Sequence, residues 1–144
     1  NTSPTSTVFS IGTSAHVNDT SDNYIAYCFA NVEGYSKIGS YTGNSSADGT
    51  FVFTGFRPAW IMFKNTSSGS TNWIIKDTVR DTSNQMDIGL EANTSDAEES
   101  SLASVDFLSN GMKIRSTGSF SNTSGDSYIY MAFAEAPFKY ANAR

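Results

Sequence analysis

The chain has 144 residues, the length of one ordinary domain, which can bury about two thirds of its unfolded surface without a metal or disulfide. Its formal net charge of −5 argues against binding to a phosphate backbone, so nucleic acid is not an expected partner. Its apolar runs stay far below the roughly 20 residues that span a bilayer, and membrane insertion is not expected. With 10 Phe, 7 Tyr and many small polar residues, the composition favours short β-strands joined by polar turns.

The amino-terminal region combines a polar lead-in with one short apolar segment. Residues 1–7 contain Pro4 among small polar side chains, which predicts a linker or loosely held arm, followed by a single domain over residues 8–144. A short candidate strand comprises Val8, Phe9, Ser10 and Ile11. We expect this segment to serve as an assembly strand that adds to the sheet edge of a neighbouring subunit.

Residues 24–32 alternate in side-chain size, as a β-strand does. Ile25, Tyr27 and Phe29 share one face, and we expect that large face to meet the core. Cys28 lies on the other face beside large apolar neighbours, and the sequence has no second cysteine with which it could form a disulfide. The pattern therefore predicts a buried structural thiol.

A strand within residues 8–36 is repeated within residues 122–139. Six residues recur at a fixed offset of 104, and the pairs are Asn18/Asn122, Asp22/Asp126, Tyr24/Tyr128, Ile25/Ile129, Phe29/Phe133 and Ala30/Ala134. The repeat predicts a tandem architecture in a longer modular protein, in which the chain starts with the closing strand of one unit and runs through a further unit. Equal patterning also predicts neighbouring or pseudo-symmetric sheet positions for Tyr24–Val32 and Tyr128–Ala134, with Ile129, Met131 and Phe133 on the large face.

Turn residues separate several apolar runs between the two copies of the repeat. These runs predict strands at Tyr35–Thr42, Phe51–Phe56, Pro58–Lys64 and Asn72–Asp77. Because proline cannot donate to a sheet ladder, Pro58 should mark a bend or a sheet edge. Asp96–Ala103 has helical character, and we expect one or two helical turns there with Asp96 as the cap.

The segment Val105–Ser116 carries the clearest local signal for a β-hairpin. Asn110-Gly111 is a preferred two-residue turn, because both residues tolerate positive φ. The predicted pairs are Ser109 with Met112, Leu108 with Lys113, Phe107 with Ile114, and Asp106 with Arg115. The buried face should then comprise Val105, Phe107, Met112 and Ile114, while Asp106 and Arg115 should form an exposed ion pair.

Eight or nine such runs, without crossover helices, predict an all-β fold with at most one short helix. We expect an antiparallel two-sheet sandwich of the jelly-roll or concanavalin A-like kind.

Groups able to carry catalysis are sparse in this sequence. His16 lies in a loop, and the sequence has no nucleophile elbow, phosphate-binding glycine loop or Cys/His zinc cluster. A carboxylate-dependent glycan hydrolase or a calcium loop through Asp81, Asn84 and Asp87 would need geometry that the sequence does not establish. We therefore expect no enzyme activity, no cofactor and no bound metal.

A binding site is the more plausible chemistry. Trp73, Asp77, Arg80 and Asp81 lie on a strand and its following loop, where an aromatic face and planar polar groups could hold a sugar ring. The competing interpretation places Trp60 and Trp73 in the core and makes the charged residues a surface ion-pair cluster.

Several motifs resemble a known family. They are YIAYCFANVEGYSKIGSYTGN from Tyr24, GFRPAW at residues 55–60, the hairpin segment Asp106–Gly111, and AFAEAPF at residues 132–138. The chain resembles a β-rich, often repeated carboxyl-terminal domain of uncharacterised function in virion structural proteins of marine tailed bacteriophages. That domain is associated there with laminin G or concanavalin A-like modules.

The resemblance implies a non-enzymatic virion protein that is assembled in the host cytoplasm and carried on the extracellular phage particle. It would be a head decoration or a tail or fibre module, with other virion proteins and further copies of itself as partners. The alternative is a lectin-like module that binds a host-surface glycan.

Overall fold

The computed structural model of the chain describes residues 2–136. The end of the repeat, residues 137–139, lies outside the described residues. Eight strands and one short helix are described: α1 Ala15–Asn18, β1 Ser36–Thr42, β2 Phe51–Phe53, β3 Pro58–Asn65, β4 Ile74–Asp77, β5 Leu90–Glu91, β6 Val105–Leu108, β7 Gly111–Ile114 and β8 Ser127–Ala134.

The strands form two antiparallel sheets. The larger sheet has the order β1-β8-β3-β4-β5, and the smaller has the order β2-β7-β6. The predicted all-β, antiparallel two-sheet fold is confirmed, whereas its assignment to the jelly-roll or concanavalin A-like kind stays a prediction. Strand β8, which carries the second copy of the repeat, is hydrogen-bonded on both sides, by β1 and by β3.

The core lies between the two sheets. The smaller sheet contributes Val105, Phe107, Met112 and Ile114, as the sequence predicted, and each is at most 1% exposed. The larger sheet contributes Ile61, Phe63, Ile74, Tyr128, Tyr130 and Ala132.

The face of β8 that meets the core is the opposite of the one predicted. Tyr128 is fully buried, while Ile129 is 40% exposed. The ring of Tyr128 stacks on Tyr41 with centroids 4.9 Å apart, and its hydroxyl donates a hydrogen bond to the Ser119 carbonyl at 3.0 Å. A tyrosine whose hydroxyl has a partner can bury more apolar surface than isoleucine, so bulk alone did not identify the inner face.

The amino-terminal stretch lies outside both sheets. The predicted strands at Val8–Ile11 and Tyr24–Val32 are wrong, since neither segment is a strand. Ile25 and Tyr27 are each 80% exposed, and Cys28 is exposed rather than buried. The expected place beside β8 is not open to Tyr24–Val32, because β1 and β3 occupy both sides of β8. We call residues 2–31, of which all but the partly exposed Asp19 are exposed, the arm.

The short helix occurs at a different place from the one predicted. Residues 96–103 form no helix, and both Ser101 and Ala103 have positive φ, which an α-helix cannot contain. Glu99 instead exchanges backbone hydrogen bonds with Gly89. Among residues 2–136 the one α-helical turn is α1, in the arm.

The β6–β7 hairpin has the predicted strands and buried face but a different register. Leu108 pairs with Gly111 and Asp106 with Lys113, so the turn is centred on Ser109 and Asn110 rather than on Asn110-Gly111. The register moves by two residues, which keeps every side chain on its predicted face. Arg115 Nε still lies 2.9 Å from an Asp106 carboxylate oxygen, so the predicted ion pair is confirmed, although both side chains are only partly exposed.

The remaining strands agree with the sequence, apart from their ends. Strand β2 stops at Phe53 because the amides of Thr54 and Gly55 both bond to the Asn110 carbonyl, and Gly55 has a φ of 86°. The predicted bend at Pro58 is confirmed by a register shift in the β3–β8 pairing just after that residue.

Candidate assembly surface

Two of the predicted glycan-binding residues form an ion-pair cluster. Asp77 ends β4, and its carboxylate accepts hydrogen bonds from the Val79 and Arg80 amides and from Arg80 Nε at 3.2 Å. The Arg80 guanidinium also pairs with Glu98, and the hydrogen bond to Glu98 raises the pKa of Arg80. For Asp77 and Arg80, the structure therefore agrees with the surface ion-pair cluster that was the alternative to a glycan site.

Asp81 turns inward and organises the loop that follows β4. Its carboxylate accepts hydrogen bonds from the backbone N–H groups of Ser83, Asp87 and Ile88 at 2.7 to 3.0 Å. Burial alone would raise the pKa of Asp81, but these backbone hydrogen bonds prevail and lower it. Both carboxylate oxygens are thus engaged by the protein's own backbone, which leaves Asp81 poorly placed to receive a sugar or a calcium ion.

Lys76 is a buried cation that the sequence analysis missed. It lies on the core face of β4, fully buried, and its ammonium donates a hydrogen bond to the Asp87 carbonyl at 2.6 Å. Desolvation lowers the pKa of Lys76 to about 8, although the charges of Asp87 and Asp81 act in the opposite direction. Its position in the strand was the available sequence signal for burial. Lys76 follows Ile74 by two residues, and side chains two residues apart in a strand point to the same face.

The two tryptophans do not belong to the buried core, so that interpretation is wrong. Trp60 is partly exposed on β3, and its ring lies 5.6 Å from the Phe133 ring. Trp73 is partly exposed just before β4, where its backbone N–H donates to the Asn93 side chain at 2.8 Å. Trp73 and Arg80 are both accessible, but Arg80 is already paired with carboxylates.

The middle of the side of the larger sheet that faces away from the core is apolar, and Lys64 and Asp77 lie at its margins. Residues paired across neighbouring strands share a face, and the cross-strand row Ile38, Met131, Met62, Ile75, Leu90 runs through all five strands. Adjacent members of the same side are Phe133, Trp60 and Ile129. Every one of these eight residues is at least partly exposed, and we call them the outer face.

Two further aromatic rings extend the outer face at one end. Tyr35 and Phe29 each approach the Phe133 ring edge-on, with centroids 5.8 Å away. Phe29 belongs to the arm, so the arm and the outer face meet at this point. The predicted assembly strand Val8–Ile11 lies elsewhere in the arm, with Val8, Phe9 and Ile11 each more than half exposed.

The sequence contained a signal for the outer face. A strand with one wet face alternates apolar and polar residues, whereas a strand covered on both faces is a continuous apolar run. Trp60-Ile61-Met62-Phe63 in β3 and Tyr128 to Ala134 in β8 are such runs. The isolated chain covers only one face of these two strands.

Two open depressions lie on the surface of the described residues. One depression lies between Asn31–Lys37 and Phe53–Gly55, and its ionisable lining residues are Glu33 and Lys37. Another lies around Leu102 and Phe120, with Glu99 and Arg115 at its margin. Neither pairs a nucleophile with a base.

Residues 2–136 contain neither a metal-binding cluster nor a membrane-spanning helix. In that part of the chain, no group of three or more His, Cys, Asp and Glu side chains is arranged to hold a metal ion. Within the same residues, no helix has the length and apolar character needed to cross a bilayer.

Comparison with known proteins gives one family match. The model of a family described as "Domain of unknown function (DUF7483)" matches residues 1–137, which include both the arm and the two sheets. No curated protein and no solved structure matches the chain significantly.

Proposed function

The chain belongs to the DUF7483 family of domains of unknown function, and from that premise we propose that it is a non-enzymatic structural module of a bacteriophage virion. It would act as a head decoration or as part of a tail or fibre, through contacts between proteins. The observation that carries this proposal is the apolar outer face of the larger sheet.

The outer face has the composition of a surface that is covered in an assembly. It presents Trp, Phe, Met, Ile and Leu side chains from five adjacent strands, and the central positions carry no charge. Interface cores are enriched in aromatic residues and Met and depleted of charged residues, as this face is. A contiguous apolar surface that stays partly exposed is typical of an interaction site.

The viral setting rests on the resemblance of the GFRPAW, hairpin and AFAEAPF motifs to virion proteins of marine tailed phages. A small module with an apolar sheet face suits repeated copies held by symmetry-related contacts. The partners would be other virion proteins and further copies of the same chain, and the location would be the virion.

The glycan-binding alternative receives less support from the geometry. Arg80 is paired with Asp77 and Glu98, and both oxygens of Asp81 accept backbone hydrogen bonds. Of the four predicted residues, Trp73 alone remains without a charged or loop-closing role among the described contacts. A receptor-binding role would therefore need a site other than the predicted one.

Localisation on the particle tests the proposal. Purified particles of a phage that encodes this chain would be labelled with an antibody against the domain and imaged by electron microscopy. We expect label at one fixed structural position on head, neck, tail or fibre. Particles that carry none, while the infected lysate contains the soluble protein, would overturn the proposal.

A further inference from the structure

The arm has the same local architecture as the segment that leads into β8. In both segments a tyrosine hydroxyl accepts a hydrogen bond from a backbone amide five residues earlier and donates one to a carbonyl nine residues earlier. In the arm, Tyr24 Oη accepts from the Asp19 amide at 2.9 Å and donates to the Ala15 carbonyl at 2.7 Å. In the second copy, Tyr128 Oη accepts from the Thr123 amide at 2.9 Å and donates to the Ser119 carbonyl at 3.0 Å.

Three further hydrogen bonds coincide at the same offset of 104 residues. The Asn18 and Asn122 side chains each donate to the carbonyl six residues earlier, at 2.9 Å in both cases. The turn before each asparagine is also the same: the amides of Val17 and Asn18 donate to Ser14 O, as those of Ser121 and Asn122 donate to Gly118 O. The arm is therefore folded locally as the approach to a β8 strand.

What differs is the surroundings. Tyr128 and Asn122 are fully buried, and Asn122 holds the Asn44–Ser46 turn through its amide. Tyr24 is 46% exposed, and Asn18 is also exposed. The hydrogen-bonded turn that ends at this tyrosine, which we call the tyrosine turn, lies inside the sandwich in the second copy. In the arm the same turn forms outside any sandwich.

The segment before the tyrosine turn follows the same order of elements in both copies. In the second copy β7 precedes the tyrosine turn, with Met112 and Ile114 facing the core. In the arm, Phe9 and Ile11 alternate in the same way, with one residue fewer between Ile11 and Asn18 than between Ile114 and Asn122. Residues 8–30 therefore carry the pattern of β7, the tyrosine turn and β8 in that order.

We infer that residues 8–30 are the last two strands of a preceding unit of this same fold, and that the partner of the arm is the remainder of that unit. In a complete unit β8 pairs with β1 on one side and β3 on the other, so the partner must present those two strands with the gap between them open. This inference does not depend on the virion proposal.

A second copy of this chain fits the arm less well than a preceding unit does. Its gap between β1 and β3 is already filled by its own β8, which would have to leave. Tyr130 of β8 fills the space over Gly39, whose missing Cβ would lie 3.0 Å from the tyrosine hydroxyl, whereas the arm has Ala26 at the equivalent position. Exchange would replace a fitted ring by a methyl group and leave a cavity.

Cys28 provides the readout. Its equivalent in β8 is Ala132, which is fully buried, whereas Cys28 is exposed in this chain. We would fuse a copy of residues 32–115 directly before Gly12, so that residues 12–30 complete an added unit and the original sandwich follows unchanged. A second version carries Ala26→Tyr, which restores the ring that Tyr130 supplies in the second copy.

The measurement is the rate at which the thiol reacts with a soluble thiol reagent. We expect Cys28 to react freely in the 144-residue chain and at least about 100-fold more slowly in one or both extended chains, because a buried strand must open before it reacts. The matched control moves the thiol to the outward side, as Cys28→Ala with Ile25→Cys. Its equivalent, Ile129, is 40% exposed, so that thiol should stay reactive in every chain.

Two results would overturn the inference. One is a Cys28 that reacts equally fast in the 144-residue chain and in both extended chains. The other is a 144-residue chain that is dimeric in solution with Cys28 already protected, because the arm would then belong to a second copy.

Discussion

Lys76 is a cation placed in the core between two sheets, and it makes stability depend on pH in an unusual direction. Folding lowers the pKa of its ammonium from 10.5 to about 8, so between these values the unfolded chain binds more protons than the folded one. Stability must therefore rise as the pH increases through this range.

The expected gain is about 2 kcal/mol between pH 8 and pH 10, since each unit of pKa difference corresponds to about 1.4 kcal/mol. Above pH 10 the trend should reverse, because burial raises the pKa of Tyr41 and Tyr130 and the unfolded tyrosines ionise first. Urea unfolding at a series of pH values measures the effect. Lys76→Met should abolish the rise and Lys37→Met should preserve it; equal slopes in all three proteins would contradict the buried ammonium.

At the residue scale, position along a strand decides burial more than the polarity of the side chain does. Lys76 and Tyr128 are both core residues because they occupy inward positions, although neither is a typical core side chain. Hydrogen-bond partners outside the strands make this possible: the Asp87 carbonyl for Lys76 and the Ser119 carbonyl for Tyr128. Alternation within a strand contains no information about partners outside it.

At the scale of elements, the β6–β7 hairpin shows where local turn preference yields to packing. Gly111 pairs within the hairpin instead of forming its turn, because β2 approaches it closely: a Cβ on Gly111 would lie 2.3 Å from the Val52 carbonyl oxygen. The sequence predicted the strands and their faces from alternation. It could not predict the register, which depends on a third strand some 60 residues earlier in the chain.

Gly111→Ala should therefore destabilise the protein by roughly 2 to 4 kcal/mol, because the methyl group collides with backbone that cannot move without separating β2 from β7. Gly69→Ala is the matched control, since nothing lies within 4 Å of a Cβ at that position. The midpoints of urea unfolding compare the two variants. A Gly111→Ala protein as stable as the control would contradict the close β2–β7 approach.

The repeat shows the same limit for a whole strand. Tyr24–Ala30 and Tyr128–Ala134 have similar sequences, yet one is exposed chain and the other is the strand with a partner on each side. Alternation marks a segment as able to form a strand. Flanking strands, which β1 and β3 provide for the second copy only, decide whether it does so.

For the whole molecule, composition and alternation were sufficient to predict two antiparallel sheets without crossover helices. They did not reveal which side of β3 and β8 would remain uncovered, because both sides are apolar. The same ambiguity is the basis for proposing the outer face as an assembly surface. Both faces of β3 and β8 are apolar, and the chain itself covers only one of the two faces.

Charge placed on the outer face tests that assembly role most directly. Met62 and Met131 pair across β3 and β8 at its centre, and both are partly exposed, so Met62→Glu and Met131→Glu should fold normally. Val79→Glu is the control, because Val79 is 90% exposed in a loop. The measurement is the amount of each variant incorporated into purified phage particles. Assembly through the outer face requires incorporation of both methionine variants to fall at least about tenfold, the effect of roughly 1.4 kcal/mol, while the control is unaffected; incorporation of all three at the wild-type level would contradict it.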